Sequence, residues 1–266
     1  MHGLTEVASY ATIATFFVLG RVAQEQPDLV RSLAAGGHEI GTHGWDHTPL
    51  YRQTPEQFSV QLRRSLAALQ DLTGRAVRGH RAPFFSINVG TLWALEELTS
   101  SGLCYDSSIF PVHNYRYGIP NACRFPHRLP TRLLWEFPLS TVSVGRLNVP
   151  FGGGFYARFW PYAWVRWAIQ RLNDLGQPAI VYFHPWEFDP GHPRLKEELP
   201  RLARITHYHR LTHSSNIPST LLSDFHWTTV EHFLNTRDSI PVEKSIVDRK
   251  NSPSAPLREH QAPNAQ

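Results

Sequence analysis

Sulfur is scarce in this sequence: its 266 residues include two cysteines and one methionine. Cys104 and Cys123 form no Cys-x-x-Cys pair and no multi-bridge framework, which removes a cysteine-based zinc site and a disulfide scaffold. Two free thiols are expected, with a single bridge as the alternative. No apolar run is long enough to span a bilayer, and no charged start leads into an apolar core with a small-residue cleavage site. With Met1 as the start, the expectation is a cytoplasmic protein with no membrane span. Blocks of Lys and Arg interleaved with aromatics are also missing. The mild excess of base (formal net charge +4, pI ≈ 9.2) therefore points to no nucleic-acid partner.

What the chain does have is apolar and aromatic material, 41% and 12% of its residues. That is enough for a sizeable core, and the length suits one large or two small α/β domains. Ile13–Leu19 is rich in β-formers and reads as a buried strand ended by Gly20. Pro27 opens a helix with Leu29, Val30, Leu33 and Ala34 at helical spacing, stopped by Gly36-Gly37. His38–Thr42 reads as a second strand. Thr54-Pro55-Glu56-Gln57 combines a cap, a first-position proline and a capping box, and Phe58, Leu62, Leu66 and Leu69 form the stripe behind it. Further strands are expected at Val77–Ala82, Leu103–Tyr105, Leu133–Leu139 and Ala179–Phe183. Further helices are expected at Leu92–Leu98 and Pro161–Leu175, the latter with Trp164, Trp167, Ala168 and Leu172 on one face. This alternation predicts a parallel α/β core, barrel-like or doubly wound. Residues 114–154 read as an irregular excursion rich in Pro, Gly and aromatics. The domain is expected to span residues 1–236, and the polar Pro/Ser-rich segment 237–266 reads as a disordered tail.

In parallel α/β folds, reactive side chains gather at strand carboxyl ends. His43 and His47, in GTHGWDHTPL, follow one such strand and are candidate metal ligands, because neutral imidazole suits zinc. The plain alternative is two exposed loop histidines. Arg81, set among apolar residues in GHRAPFF, needs a carboxylate or backbone oxygens as partners. Taken alone it reads as an ordinary structural ion pair. His184 ends the apolar IVYF segment, where a near-neutral pKa suits acid catalysis; a satisfied core histidine explains it equally well.

The ordered set GHEIGTHGWDH, RAPFFSI, YDSSIFP, WEFPLS and YFHPWEFDP, after ATFFVLG, resembles the polysaccharide deacetylases, also called the NodB-homology or carbohydrate esterase family 4 enzymes. It is closest to the subgroup associated with exopolysaccharide and exosortase loci. The resemblance runs from about Ala14 to Phe225. It implies a distorted (β/α) barrel, a divalent metal such as zinc, and an acetylated polysaccharide as substrate and partner. It also implies roles. His43 and His47 match the metal histidines, and Arg81 matches the arginine that holds the catalytic base. Asp106 matches the aspartate near the acid histidine, and His184 matches the acid that protonates the departing amine.

The family's first motif, which carries the base aspartate and the third metal ligand, has no counterpart. Glu6 is the sole acid before Ala14, and a strand, a loop and a helix (about 11 residues for the helix) do not fit ahead of it. The first barrel strand is therefore expected to be missing. Three readings follow. One is a metal-dependent deacetylase with its true start upstream, and another is a catalytically inert relative that only binds carbohydrate. The third is an amide hydrolase acting on a small molecule.

Overall fold

A six-stranded sheet with order β1-β2-β3-β4-β6-β5 organises the chain. A computed structural model describes residues 12–114, 117–129, 133–188, 208–209 and 216–236. The expected tail 237–266 and the segment of residues 1–11, where a first strand was expected to be missing, lie outside the described residues. The strands are β1 (Thr15–Val18), β2 (Glu39–Thr42), β3 (Gly79–His80), β4 (Tyr105–Asp106), β5 (His127–Arg128) and β6 (Trp135–Glu136). β1, β2, β3, β4 and β6 run parallel, and only β5 pairs antiparallel, along β6. The sheet is thus mostly parallel, with helices crossing over between its early strands.

Local sequence accounts for the elements well where the patterns are long. Helices α1 (Gly20–Glu25) and α2 (Pro27–Ala35) connect β1 to β2, and α3 (Pro55–Thr73) connects β2 to β3. In α3, Thr54 Oγ1 accepts from Gln57 N at 3.3 Å while Gln57 Oε1 accepts from Thr54 N at 3.0 Å. The helix ends at Gly74 in the left-handed region, φ 64°, where a residue without Cβ avoids strain. Phe58, Leu62, Leu66 and Leu69 are buried against the sheet, and Ser65 is buried with them. Helix α4 (Ala94–Ser100) buries Ala94, Leu95 and Leu98.

Short elements depart from expectation. Gly20 ends β1 but also begins α1, which the sequence pattern did not reveal. The region of residues 114–154 is less irregular than expected: it carries β5, β6 and a separate hairpin of β7 (Thr141–Val144) and β8 (Leu147–Pro150). Helices α5 (Gly154–Phe159) and α6 (Tyr162–Asp174) follow. α6 buries Val165, Ala168, Ile169 and Leu172, and Trp164 packs half-buried against them, so of the expected face only Trp167, 44% exposed, turns outward. Ala179–Phe183 is not a full strand. It makes one bridge, Gly153 with Tyr182, because its partners are a glycine turn and the Ser140 hydroxyl instead of an extended segment. Helices α7 (Asn216–Asp224) and α8 (Val230–Thr236) complete the described chain. Cys104 and Cys123 are free thiols.

Two glycines allow a direct test of the packing. A Cβ at Gly79 would overlap the Tyr105 ring, which is fully buried. Gly74 faces open space and needs only its left-handed φ. Gly79→Ala is expected to destabilise the fold by about 1–3 kcal/mol through overpacking. Gly74→Ala should cost about 1–2 kcal/mol through backbone strain alone. Restoring space with Tyr105→Phe should not rescue Gly79→Ala, because the ring itself is the obstacle. Urea midpoints at constant m-value would measure all three.

Candidate active site

The β2 strand delivers His43 to the carboxyl edge of the sheet. Its backbone N–H donates to Val18 O at 2.9 Å, and Arg81 N donates to Thr42 O at 3.0 Å, so three neighbouring strand ends are stitched together there. The loop that follows is held from beneath. Gly44 O accepts from Gly20 N at 2.9 Å and from Ser65 Oγ at 3.0 Å, and Trp45 O accepts from Arg21 N at 2.9 Å. Trp45 also lies under the Arg64 guanidinium, 3.6 Å from its ring centroid. The buried Ser65 of α3, a polar break in an apolar stripe, thus positions the histidine loop.

His43 and His47 converge, with ring centroids 5.0 Å apart. His43 Nδ1 lies 2.7 Å from Arg81 O. A carbonyl can only accept, so Nδ1 carries the hydrogen and Nε2 keeps its lone pair in the neutral ring. Burial pushes the His43 pKa down to about 3, outweighing the raising effect of that hydrogen bond. His47 is also shifted down, first by burial and then by the field of His184. Tyr182 packs on Phe85 at 4.9 Å and on His184 at 5.5 Å, which links His184 to the turn beside the histidine loop. Asp46 lies between the two histidines in sequence but turns its carboxylate to Thr48 N (3.2 Å) and Thr48 Oγ1 (2.7 Å).

Backbone strain is concentrated here. His47, Phe84 and Phe85 are the non-glycine residues with positive φ among the described residues, at 65°, 56° and 51°. Such conformations cost about 1–3 kcal/mol each and persist where the surroundings dictate them. The His47 ring packs edge-on against Phe84 at 4.6 Å. Phe84 is 48% exposed and so forms part of the rim.

Arg81 is buried at the end of β3. Its Nε donates to Ser107 O at 2.9 Å and its Nη2 to Ser107 Oγ at 2.7 Å, while Cζ sits 4.4 Å from the Phe17 ring centroid. Burial lowers its pKa to about 10, against the raising influence of Tyr105, Tyr182, Asp106 and Glu136. Its direct partners are oxygens of Ser107, the second of the two partner types expected, and not a carboxylate.

The hydrogen bonds of Asp106 go to His80 and Ser108, and among the described residues none goes to His184. Asp106 is fully buried at the end of β4. Its Oδ1 accepts from His80 Nδ1 at 2.6 Å and from Ser108 Oγ at 2.7 Å, and its Oδ2 accepts from Ser108 N at 3.0 Å. Glu136 lies alongside, and burial, reinforced by the Asp106 charge, raises its carboxyl well above the ordinary range. His80 was overlooked in sequence because it sits beside the more conspicuous Arg81.

His184 instead meets Glu187. Its Nδ1 is 2.7 Å from Glu187 Oε1, which also accepts from the His184 backbone N–H at 3.0 Å. A 3₁₀ turn over Pro185–Phe188 makes this i,i+3 contact, and Trp186 stacks on the imidazole at 5.4 Å. Glu187 Oε2 accepts from Arg158 Nε at 3.1 Å, both side chains being almost fully buried. The H-P-W-E spacing was a readable signal for Glu187; nothing in F-Y-A-R-F pointed to Arg158.

The donors fit a divalent cation in part. His43 and His47 offer two neutral rings, the first oriented by a backbone carbonyl in the manner usual for metal-ligating histidine. A catalytic zinc ordinarily takes three protein ligands. Among the described residues no group of three or more His, Cys, Asp or Glu side chains gathers in a metal-holding arrangement.

A mostly parallel sheet with histidines collected at its carboxyl edge defines a distorted (β/α) barrel of the deacetylase type. Residues 4–102 match the polysaccharide deacetylase family, and residues 107–235 match a domain of unknown function, DUF3473. The likeness to the polysaccharide deacetylases thus lies in the first part of the chain. The chain is 36% identical over 75 residues to the peptidoglycan-N-acetylglucosamine deacetylase PgdA of Listeria monocytogenes, covering 28% of this chain and 16% of that protein. It is 37% identical over 76 residues to the chitooligosaccharide deacetylase of Azorhizobium caulinodans, covering 28% of this chain and 36% of the relative. The matched segments thus span well under half the length of these curated relatives. Among solved structures, a Mycobacterium smegmatis protein assigned to the polysaccharide deacetylases superposes with TM-score 0.56 at 20% identity, covering 97% of this chain and 80% of that one. Puue allantoinase superposes with TM-score 0.57 at 16% identity, covering 90% and 73%. At these identities the two structures show the shared fold.

His43→Ala and His47→Ala should each remove most zinc binding by the purified chain, read by equilibrium dialysis at pH 7.5. Zinc affinity equal to the parent in the double variant would overturn the assignment of these ligands.

Proposed function

We propose that this chain acts as a metal-dependent hydrolase that removes N-acetyl, or alternatively O-acetyl, groups from a bacterial exopolysaccharide. The observation that supports the reading is the pairing of His43 and His47, with ring centroids 5.0 Å apart, beside a turn linked to His184 through the Tyr182 ring. The similarity to deacetylases of peptidoglycan and chitooligosaccharides supports the acetylated-sugar class, and the ordered motifs shared with the exopolysaccharide-associated subgroup favour an exopolysaccharide.

His43 and His47 hold the divalent ion, zinc first, through ring nitrogens kept neutral by burial. Bound there, the ion supplies Lewis-acid activation of water and of the acetyl carbonyl. The chain's own groups do the rest. His184 gives a proton from its ring to the departing sugar amine as the C–N bond breaks. Arg81 fixes the Ser107 segment against β3 and places a buried positive charge beneath the pocket floor. Phe84 and Trp186 flank the histidines and offer apolar faces to a sugar ring. Among the described residues no third His, Cys, Asp or Glu joins the pair in a metal-holding group. The catalytic unit in this reading is the whole domain 1–236, with the part after residue 107 supplying His184.

The direct test is zinc-dependent acetate release from N-acetylglucosamine oligomers and from crude exopolysaccharide. Release by the 1–266 chain that falls about 10²-fold or more in His184→Ala supports the assignment. Saturable polysaccharide binding without acetate release, unchanged when the upstream coding segment is added, would replace it with an inert carbohydrate binder.

A further inference from the structure

The acid histidine has a partner that neither the sequence motifs nor the family likeness assigns. We propose that Glu187, held in place by Arg158, is the positioning residue for His184, filling the place that the resemblance gave to Asp106. Three observations carry this. Glu187 Oε1 is 2.7 Å from His184 Nδ1, while Oε2 takes the Arg158 Nε hydrogen at 3.1 Å. Glu187 and Arg158 side chains are 2% and 3% exposed, whereas His184 is 47% exposed and open to substrate. Asp106 is committed elsewhere, accepting from His80 and twice from Ser108 inside the core.

The chemistry follows from the atoms. Both Glu187 oxygens already act as acceptors, Oε1 from the His184 backbone N–H and Oε2 from Arg158, so Nδ1 of His184 donates to this carboxylate. That leaves Nε2 as the edge that faces outward and exchanges the catalytic proton. The same Oε1 accepts from the His184 backbone, so ring and main chain are fixed to one atom. Arg158 is itself anchored: its Nη1 donates to His209 O at 2.7 Å and its Cζ lies 5.2 Å from the Trp186 ring that stacks on His184. One ion pair therefore sets the tautomer, the ring plane and the aromatic wall together. All of these residues belong to the segment after residue 107, which gives that segment a role in proton transfer as well as in shape.

The kinetic part of this inference rests on the deacetylase reading; the tautomer does not. Long-range ¹H–¹⁵N spectra of the histidine-labelled chain, with His184 identified by its loss in His184→Ala, read the tautomer directly. At a pH where the ring is neutral, the parent should hold its hydrogen on Nδ1. Removing one member of a buried ion pair risks unfolding, so the variant is the double Arg158→Met/Glu187→Met, which replaces the pair with apolar groups of similar volume. In it the His184 hydrogen should move largely to Nε2. Acetate release should fall on the order of 10²-fold in kcat with KM little changed. A parent with Nε2–H, or a folded double variant that keeps both tautomer and kcat, overturns the proposal. If no substrate releases acetate, the deacetylase reading fails and the tautomer alone still decides the part played by Glu187.

Discussion

The Asp106 carboxylate is the constraint from which the site is built. β3 and β4 are two residues long each, so few ladder hydrogen bonds hold them. Asp106 adds side-chain ties between their ends. It binds His80 across the two strands and organises Ser108, whose Oγ in turn accepts from Ala82 N at 2.7 Å. The start of the R-A-P-F-F turn is thereby anchored to the end of β4. A buried ionised group is costly unless its hydrogen bonds are complete. Three donor hydrogen bonds on this one buried carboxylate meet that condition and make the arrangement specific.

The consequences run outward from this knot. Arg81 is pinned to Ser107, which fixes the Arg81 carbonyl. That carbonyl accepts from His43 Nδ1 and so chooses the tautomer that exposes Nε2. The next residues, Phe84 and Phe85, are forced into left-handed backbone, and Phe84 meets the His47 ring. A wrong tautomer at His43 or a relaxed turn at Phe84 would each leave a metal with poorer donors. Core packing, backbone strain and ligand chemistry are therefore one connected arrangement. His184 is oriented independently, through Glu187 and Arg158.

Much of this was legible in the sequence, and the exceptions have physical causes. α3 was readable from cap to cap because Thr54, Pro55, Gln57 and Gly74 each carry a local signal. β1 was readable because its side chains, Thr15–Val18, are β-formers. His43, His47 and His184 could be nominated because residues at strand ends have a restricted set of uses. The Asp106–His80 and Glu187–Arg158 pairs could not be read in full. Each joins residues 26 or 29 positions apart, and spacing carries no information about contacts of that kind. Trp167 was misread because a tryptophan at helical spacing looks like core, whereas α6 buries its small and branched residues. Ala179–Phe183 was misread because its strong β-propensity meets a glycine turn in place of a neighbouring strand. The ordered motif set carried the rest, since no single motif specifies the family.

The central claim is that His43 and His47 share one ion while His184 faces it without binding it. Cobalt(II) substitution followed by ¹H NMR of the histidine rings tests this most directly. The account predicts contact-shifted Nδ1–H or ring signals for two histidines, lost respectively in His43→Ala and His47→Ala. His184 signals should be broadened by proximity but carry no contact shift. Contact shifts on His184, or a cobalt site that leaves His43 and His47 unshifted, would contradict the account.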